Sequence, residues 1–195
     1  MAGTAGPALF GGVVVTLTVL ERDFMSTLGW DPLAAPTRDW PSGLALGPLG
    51  LVMTFTFIAC GILLVIFALG LYRTYREARG GTAASVLLAC AGLAMSLLAF
   101  PTDPTYRRLP LTWHGTLHDA AFGLLGAALC LSLAAFGLAF RAQAKRRAIV
   151  LFSWATAALV VPSFAVKGIV FYAFLAAFLA WCEAAAIVLR RSPPR

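Results

Sequence analysis

Asparagine is missing from this 195-residue chain, glutamine occurs once, and lysine and histidine occur twice each. Without asparagine there is no N-glycosylation acceptor. Charge is scarce too: 12% of residues are charged, against about 25% in an average soluble domain. A water-soluble fold of this size needs that charge for its surface, so an ordinary soluble domain is excluded. The net charge of +7 does not point to nucleic acid, because the charges stand at the ends of apolar runs and form no basic face. The few cysteines, Cys60, Cys90, Cys130 and Cys182, each fall inside an apolar run. That placement argues against a disulfide framework or a Cys-x-x-Cys metal site. They are expected to act as small buried apolar residues. Scarce Lys beside abundant Arg, Ala and Gly fits a GC-rich bacterial genome.

What the chain has in quantity is hydrophobic residues, 61% of the total. They fall into six apolar stretches, each near or above the roughly 20 residues that cross a bilayer. Helices are expected at about residues 2–20, 41–72, 83–100, 116–140, 148–164 and 168–189, forming one transmembrane domain over residues 1–195. The fold class is therefore all-α, a polytopic bundle of six helices in a cell membrane. The first stretch lacks a positive n-region and ends in Glu21, Arg22 and Asp23 with no small-residue cleavage pattern. It reads as a retained helix and not as a signal peptide. The second is longer than a span requires. Pro41 suits a first helical turn, and Pro48 is expected to kink the outer part. Pro101 stops the third stretch.

Orientation follows from the Lys and Arg of the short loops. One side carries Arg73, Arg76 and Arg79, then Arg141, Lys145, Arg146 and Arg147, then Arg190, Arg191 and Arg195. The other carries Arg22, Arg38, Arg107, Arg108 and Lys167. The bias puts both termini in the cytoplasm, in the plasma (bacterial inner) membrane. Glu21, Asp23, Asp31, Asp39, Asp103 and Asp119 fall on the outer side. The one long loop, residues 21–40, contains Pro32, Pro36, Trp30 and Trp40. Tryptophan favours the membrane interface, so this loop is expected to be irregular and to lie across the outer mouth of the bundle. The halves share no visible repeat. The Gly43/Gly47 spacing and the pair Gly123 and Gly126 read as helix-packing positions.

Chemistry concentrates in Phe100–Asp119, FPTDPTYRRLPLTWHGTLHD, which holds both histidines, two aspartates and two arginines. On a helix, His114 and His118 lie on one face, one turn apart, and such a pair can share a metal. Zinc needs one or two further ligands; Asp103, Asp31, Asp23 or Glu21 could supply a carboxylate. The alternative is that the histidines pair with Asp103 or with loop carbonyls and fix loop to bundle, since buried polar groups must be paired in any case. Asp119 points about 100° away from His118 and would pair with Arg107 or Arg108, or act as an acid. Glu183, about 15 residues into the last helix, is the deepest acid. It reads either as a proton or ion site near Ser153 and Thr156 or as a packing residue that snorkels toward Arg190 or Arg191.

FPTDP at the end of the third stretch and HGTLHD opening the fourth resemble the signature of an uncharacterised prokaryotic membrane family, the domain of unknown function 998. MSTLGW resembles that family's Ser-x-Leu-Gly segment, here Ser26 to Gly29. The resemblance runs through nearly the whole chain in helix order. It implies a six-helix bundle with an outward polar cluster of Ser26, Asp103, His114, His118 and Asp119, and no established activity; Thr105–Leu111 falls where the family looks variable. A looser similarity joins the chain to ceramidase-like membrane hydrolases. It departs from them in having six helices and only two histidines, so a three-His zinc site within one protomer is impossible.

Three functions are therefore weighed. The first is a non-enzymatic membrane protein, a partner, sensor or assembly factor, in contact with membrane lipids and other membrane proteins. The second is a metal-dependent hydrolase of a lipid amide or ester. In it His114, His118 and Asp103 would hold zinc, and Ser26 or Asp119 would orient substrate or move a proton. The third is a small proton-coupled transporter using Glu183, with Asp119 as outer gate. The first is favoured, and no cofactor is firmly implied.

Overall fold

In hydrocarbon the peptide groups find no water, so they must pair within each segment, and helices result. The computed structural model describes residues 1–37, 40–104, 111–141 and 147–191, and all regular structure among them is helical. The elements are α1 (Ala2–Leu20), α2 (Arg22–Thr27), a 3-10 helix (Pro41–Leu46), α3 (Gly50–Tyr75), α4 (Gly81–Leu97), α5 (Trp113–Arg141), α6 (Arg147–Val166) and α7 (Gly168–Arg190). Five of them are long and apolar enough to span a membrane, and α4, at 17 residues, is a shorter sixth. The protein is a multi-pass membrane protein. Arg38, Asp39, Arg107, Arg108, Lys145, Arg146 and Arg195 lie outside the described residues.

The spans agree with the hydropathy reading to within a few residues, with two corrections. The stretch 41–72 is not one kinked helix. It breaks at Gly47–Leu49 into a 3-10 helix and α3, because Pro48 has no N–H to donate and its ring crowds the preceding turn. The segment after α1 is not irregular from its start, since residues 22–27 form α2. The third helix ends at Leu97, before the expected 100. A proline disfavours helical backbone just ahead of it, and Leu98, Ala99 and Phe100 instead bond back three residues, to Met95, Ser96 and Leu97.

The six long helices close into a ring. α1 packs between α3 and α7, and α3, α4, α5, α6 and α7 follow one another around it. Arg190 Nη2 donates to Thr4 Oγ1 at 3.3 Å, so both ends of the described chain share one end of the bundle. The other, distal end carries the 21–49 segment and the α4–α5 and α6–α7 links. Lipid tails are as apolar as Leu, so these helices associate through close contact and interhelical hydrogen bonds. Each seam has such a contact. Gly61 and Gly92 bring α3 and α4 together, each lying against the other's carbonyl. Ser132 Oγ donates to Ala84 O of α4 at 2.8 Å, and Trp154 Nε1 donates to Ala134 O of α5 at 3.2 Å. Trp181 Nε1 donates to Ser153 Oγ at 2.8 Å across α6 and α7. Thr18 gives its proton to Val14 O, so Tyr172 donates to Thr18, at 3.2 Å, across α7 and α1. Cys60 Sγ donates to Gly6 O at 3.7 Å across α3 and α1.

The cysteines are all free, with Cys60 and Cys182 buried and the other two half-buried. Gly126 admits the Phe164 ring, whereas Gly123 has nothing near it. Gly43 lies against Met25 and Leu28, and Gly47 against Glu21; this spacing seats α2 and is not a contact between two spans.

Gly61→Val should destabilise the fold by about 1–3 kcal/mol, the usual cost of overpacking, because the new Cβ runs into the Gly92 carbonyl and the Ser96 hydroxyl. Gly12→Ala, with nothing within 4 Å, should be neutral or stabilising by up to about 1 kcal/mol. Thermal unfolding of both variants in detergent micelles checks the contrast.

Candidate functional site

The distal link between α4 and α5 is held by side chains that satisfy backbone groups. Where α4 unravels before Pro101, the carbonyls of Phe100 and Pro101 have no helical N–H ahead of them. The two histidines supply donors. His118 Nδ1 lies 2.8 Å from Phe100 O, and His114 Nδ1 lies 3.0 Å from Pro101 O. A carbonyl only accepts, so the network assigns the proton of each ring to Nδ1. His118 is 2% exposed, and at that burial a polar ring has to be paired.

The start of α5 is held in the same way. Thr112 is its N-cap, with Oγ1 accepting from Gly115 N at 3.1 Å. Asp103 reaches across the link: Oδ2 accepts from Thr112 N at 2.7 Å, and the Thr112 hydroxyl donates to the carboxylate at 2.9 Å. Its negative charge faces the positive end of the α5 dipole. His114 Nδ1 also lies 3.0 Å from Thr112 Oγ1, which ties histidine, threonine and aspartate into one network. Gly115 is required beside it, because a Cβ there would strike the Asp103 carboxylate. Trp113, 71% exposed, stands outside the network with edge contacts to Phe100 at 5.8 Å and His114 at 5.7 Å.

Asp103, His114 and His118 are therefore brought together at one link. Ser26 is placed elsewhere. It is exposed on α2, donates to Asp23 O at 2.7 Å, and borders an open depression with Arg22, Trp30 and Asp31. Asp119 is exposed, turned away from buried His118, and the arginines considered as its partners lie outside the described residues. Glu183 is half-buried on α7. Its expected neighbours are engaged in other bonds: Ser153 with Ile149 O and Trp181, Thr156 with Phe152 O. Leu129, Leu133, Phe136, Phe178 and Trp181 belong to one buried apolar cluster in the bundle.

Zinc does not fit this donor set well. Both Nδ1 atoms face carbonyls, which leaves Nε2 as the ligating nitrogen of each ring. Asp103 is engaged by Thr112. Among the described residues no three His, Cys, Asp or Glu side chains form a group that could hold a metal.

Glu21 is the residue that sequence reasoning undervalued, treating it as one of several spare carboxylates. It is 4% exposed, and its Oε1 accepts from Leu49 N, the N-cap residue of α3, at 2.5 Å. Gly47 makes room for it, since a Cβ there would overlap the carboxylate. Within Glu21–Arg22–Asp23 it looks like part of a solvated membrane stop, and the only hint was a helix break at Pro48 that left orphan N–H groups needing an acceptor.

Asp103→Ala should cost about 1–3 kcal/mol of stability, the range for a lost cap and charged hydrogen bonds. Asp103→Asn should cost less, because an amide oxygen can still accept from Thr112. Unfolding midpoints of the two variants in one detergent decide the order.

No curated protein and no solved structure matches the chain. Residues 12–188 match a family described as proteins of unknown function. That span covers the second part of α1, nearly all of the other five long helices and both ends of the distal His/Asp link, and the chain belongs to that family, DUF998.

Proposed function

We propose that this protein is a non-enzymatic multi-pass protein of the plasma membrane, a partner, sensor or assembly factor, with both termini in the cytoplasm. One observation carries the reading. The Asp103 carboxylate and one nitrogen of each imidazole are engaged within the link itself: Asp103 by the start of α5, and the two Nδ1 atoms by successive carbonyls at the end of α4. A catalytic group must be able to reach a reacting atom, whereas Asp103 and both Nδ1 atoms face the protein's own main chain. The shared end of Thr4 and Arg190, together with the excess of Lys and Arg on that side, supports the orientation.

Metal content of the detergent-purified protein tests this against the hydrolase. The native protein is expected to hold no stoichiometric transition metal, and His118→Ala is expected to lower its unfolding midpoint. About one zinc per chain, absent from both His114→Ala and His118→Ala, would overturn the reading in favour of a metal-dependent hydrolase acting on a lipid amide or ester. For orientation, a fluorescent protein fused to the C-terminus should glow, and alkaline phosphatase fused there should be inactive.

A further inference from the structure

Six helices in a closed ring surround space for a seventh, because each cylinder is about 10 Å across. Side chains fill most of that space, but not its distal half. A cavity of about 80 Å³ remains, lined from all six long helices and from the 3-10 segment. It is partly open to the outside. Its walls are Phe, Leu, Met and Val, with Phe57, Phe122, Phe171 and Phe174 among them; Ser42 and Trp40 alone carry polar side-chain atoms. A water needs about 10–15 Å³ and two to four polar partners. The volume would admit several waters, and the lining offers them almost nothing to bond. Such a cavity suits an apolar guest.

The shape narrows the guest to a chain. A second apolar space of about 30 Å³ lies next to it toward the terminal end, beside Gly6 and Gly3 of α1, and shares Phe10, Leu64, Met95 and Phe178 as walls. From Val14 to Gly3 along α1 is about 17 Å at 1.5 Å per residue. That is close to one leaflet, half of a hydrocarbon core of about 30 Å.

The mouth carries the other part of the argument. Trp40 lines the distal end of the cavity, with edge contacts to Phe122 at 4.6 Å and Phe171 at 5.4 Å. Lys167 Nζ stands 4.8 Å from the centre of the Trp40 ring. Lys167 is the one-residue link between α6 and α7 and has φ of 56°, a left-handed backbone that L side chains rarely adopt. Such strain persists only where surrounding structure enforces it, and it clusters at ligand clamps. Here it sets a cation at the distal end of the bundle, against a ring that lines the cavity.

We propose that the cavity holds one acyl chain of an anionic membrane phospholipid, inserted alongside Trp40, with the headgroup phosphate beside Lys167. This goes beyond the non-enzymatic reading and does not depend on it, since no cavity-lining residue belongs to the His/Asp network.

Native mass spectrometry of the full chain released from detergent tests it, with dioleoyl phosphatidylglycerol, dioleoyl phosphatidylcholine and oleic acid as probes. One phosphatidylglycerol per chain is expected to bind saturably. Val14→Phe and Leu125→Phe, which fill the cavity, should each weaken it at least tenfold without lowering the unfolding midpoint. Leu131→Phe, at a position 57% exposed and off the cavity wall, should leave it unchanged. Lys167→Gln should weaken phosphatidylglycerol several-fold and phosphatidylcholine little. Unsaturable binding, or binding unchanged in whichever filled variants fold, would overturn the cavity as the site. Binding of oleic acid without phosphatidylglycerol would overturn the phospholipid as occupant.

Discussion

α1 packs along the seam between α3 and α7 and walls both interior spaces. Of the five long apolar helices it is the least enclosed, with 22% of its spanning window buried against 39–44% in the others. It is held by small, specific contacts: Gly3 against the Phe67 ring, the Gly6 carbonyl to Cys60, and Thr18 to Tyr172. In lipid no hydrophobic gradient presses a helix onto its neighbours, so such contacts must do what burial does in water. Without α1, the walls of both interior spaces would lose one side, and Tyr172 would lose its partner.

The distal end shows one solution used three times. α3, α5 and α7 all begin there, and the opening N–H groups of a helix have no intrahelical acceptor. Each receives one from a distant part of the chain. Glu21 serves Leu49, Asp103 serves Thr112, and the Ala34 carbonyl accepts from Ile169 at 3.2 Å. Two of the three acceptors are carboxylates facing the positive ends of helix dipoles. That gives a physical reason for the acidic bias of this side of the sequence, and it binds the 21–49 segment to the bundle as structure and not as a trailing loop.

The spans were legible because length and hydropathy are local, and Pro101 and Pro48 marked real breaks. The cluster Phe100–Asp119 was also legible as a place, since a pair of histidines among so few polar residues stands out. What the histidines do there was not. Spacing of four suggested a shared ligand, but their partners are Phe100 and Pro101, adjacent carbonyls exposed by the unwinding of another helix. Ser26 looked like a member of the cluster from the resemblance of its segment, yet α2 places it beside Arg22 and Trp30. The break at Pro48 read as a kink because proline's effect on a helix is local, while the acceptor that turns it into a new helix start lies 28 residues away in Glu21.

By itself the sequence determined that this is an all-helical, multi-pass membrane protein, and where its helices begin and end to within a few residues except in the stretch broken at Pro48. These follow from the price of an unpaired peptide group in hydrocarbon, which depends only on the residues of one segment. Only the tertiary structure decided that six helices form a ring with an apolar cavity beside Trp40, that Asp103 and Glu21 serve helix starts, that Ser26 and Glu183 stand apart from the histidines, and that Asp119 is exposed beside buried His118. Those outcomes depend on which polar atoms find one another across distant segments, and on volume left over when helices pack, quantities that no local pattern of residues contains.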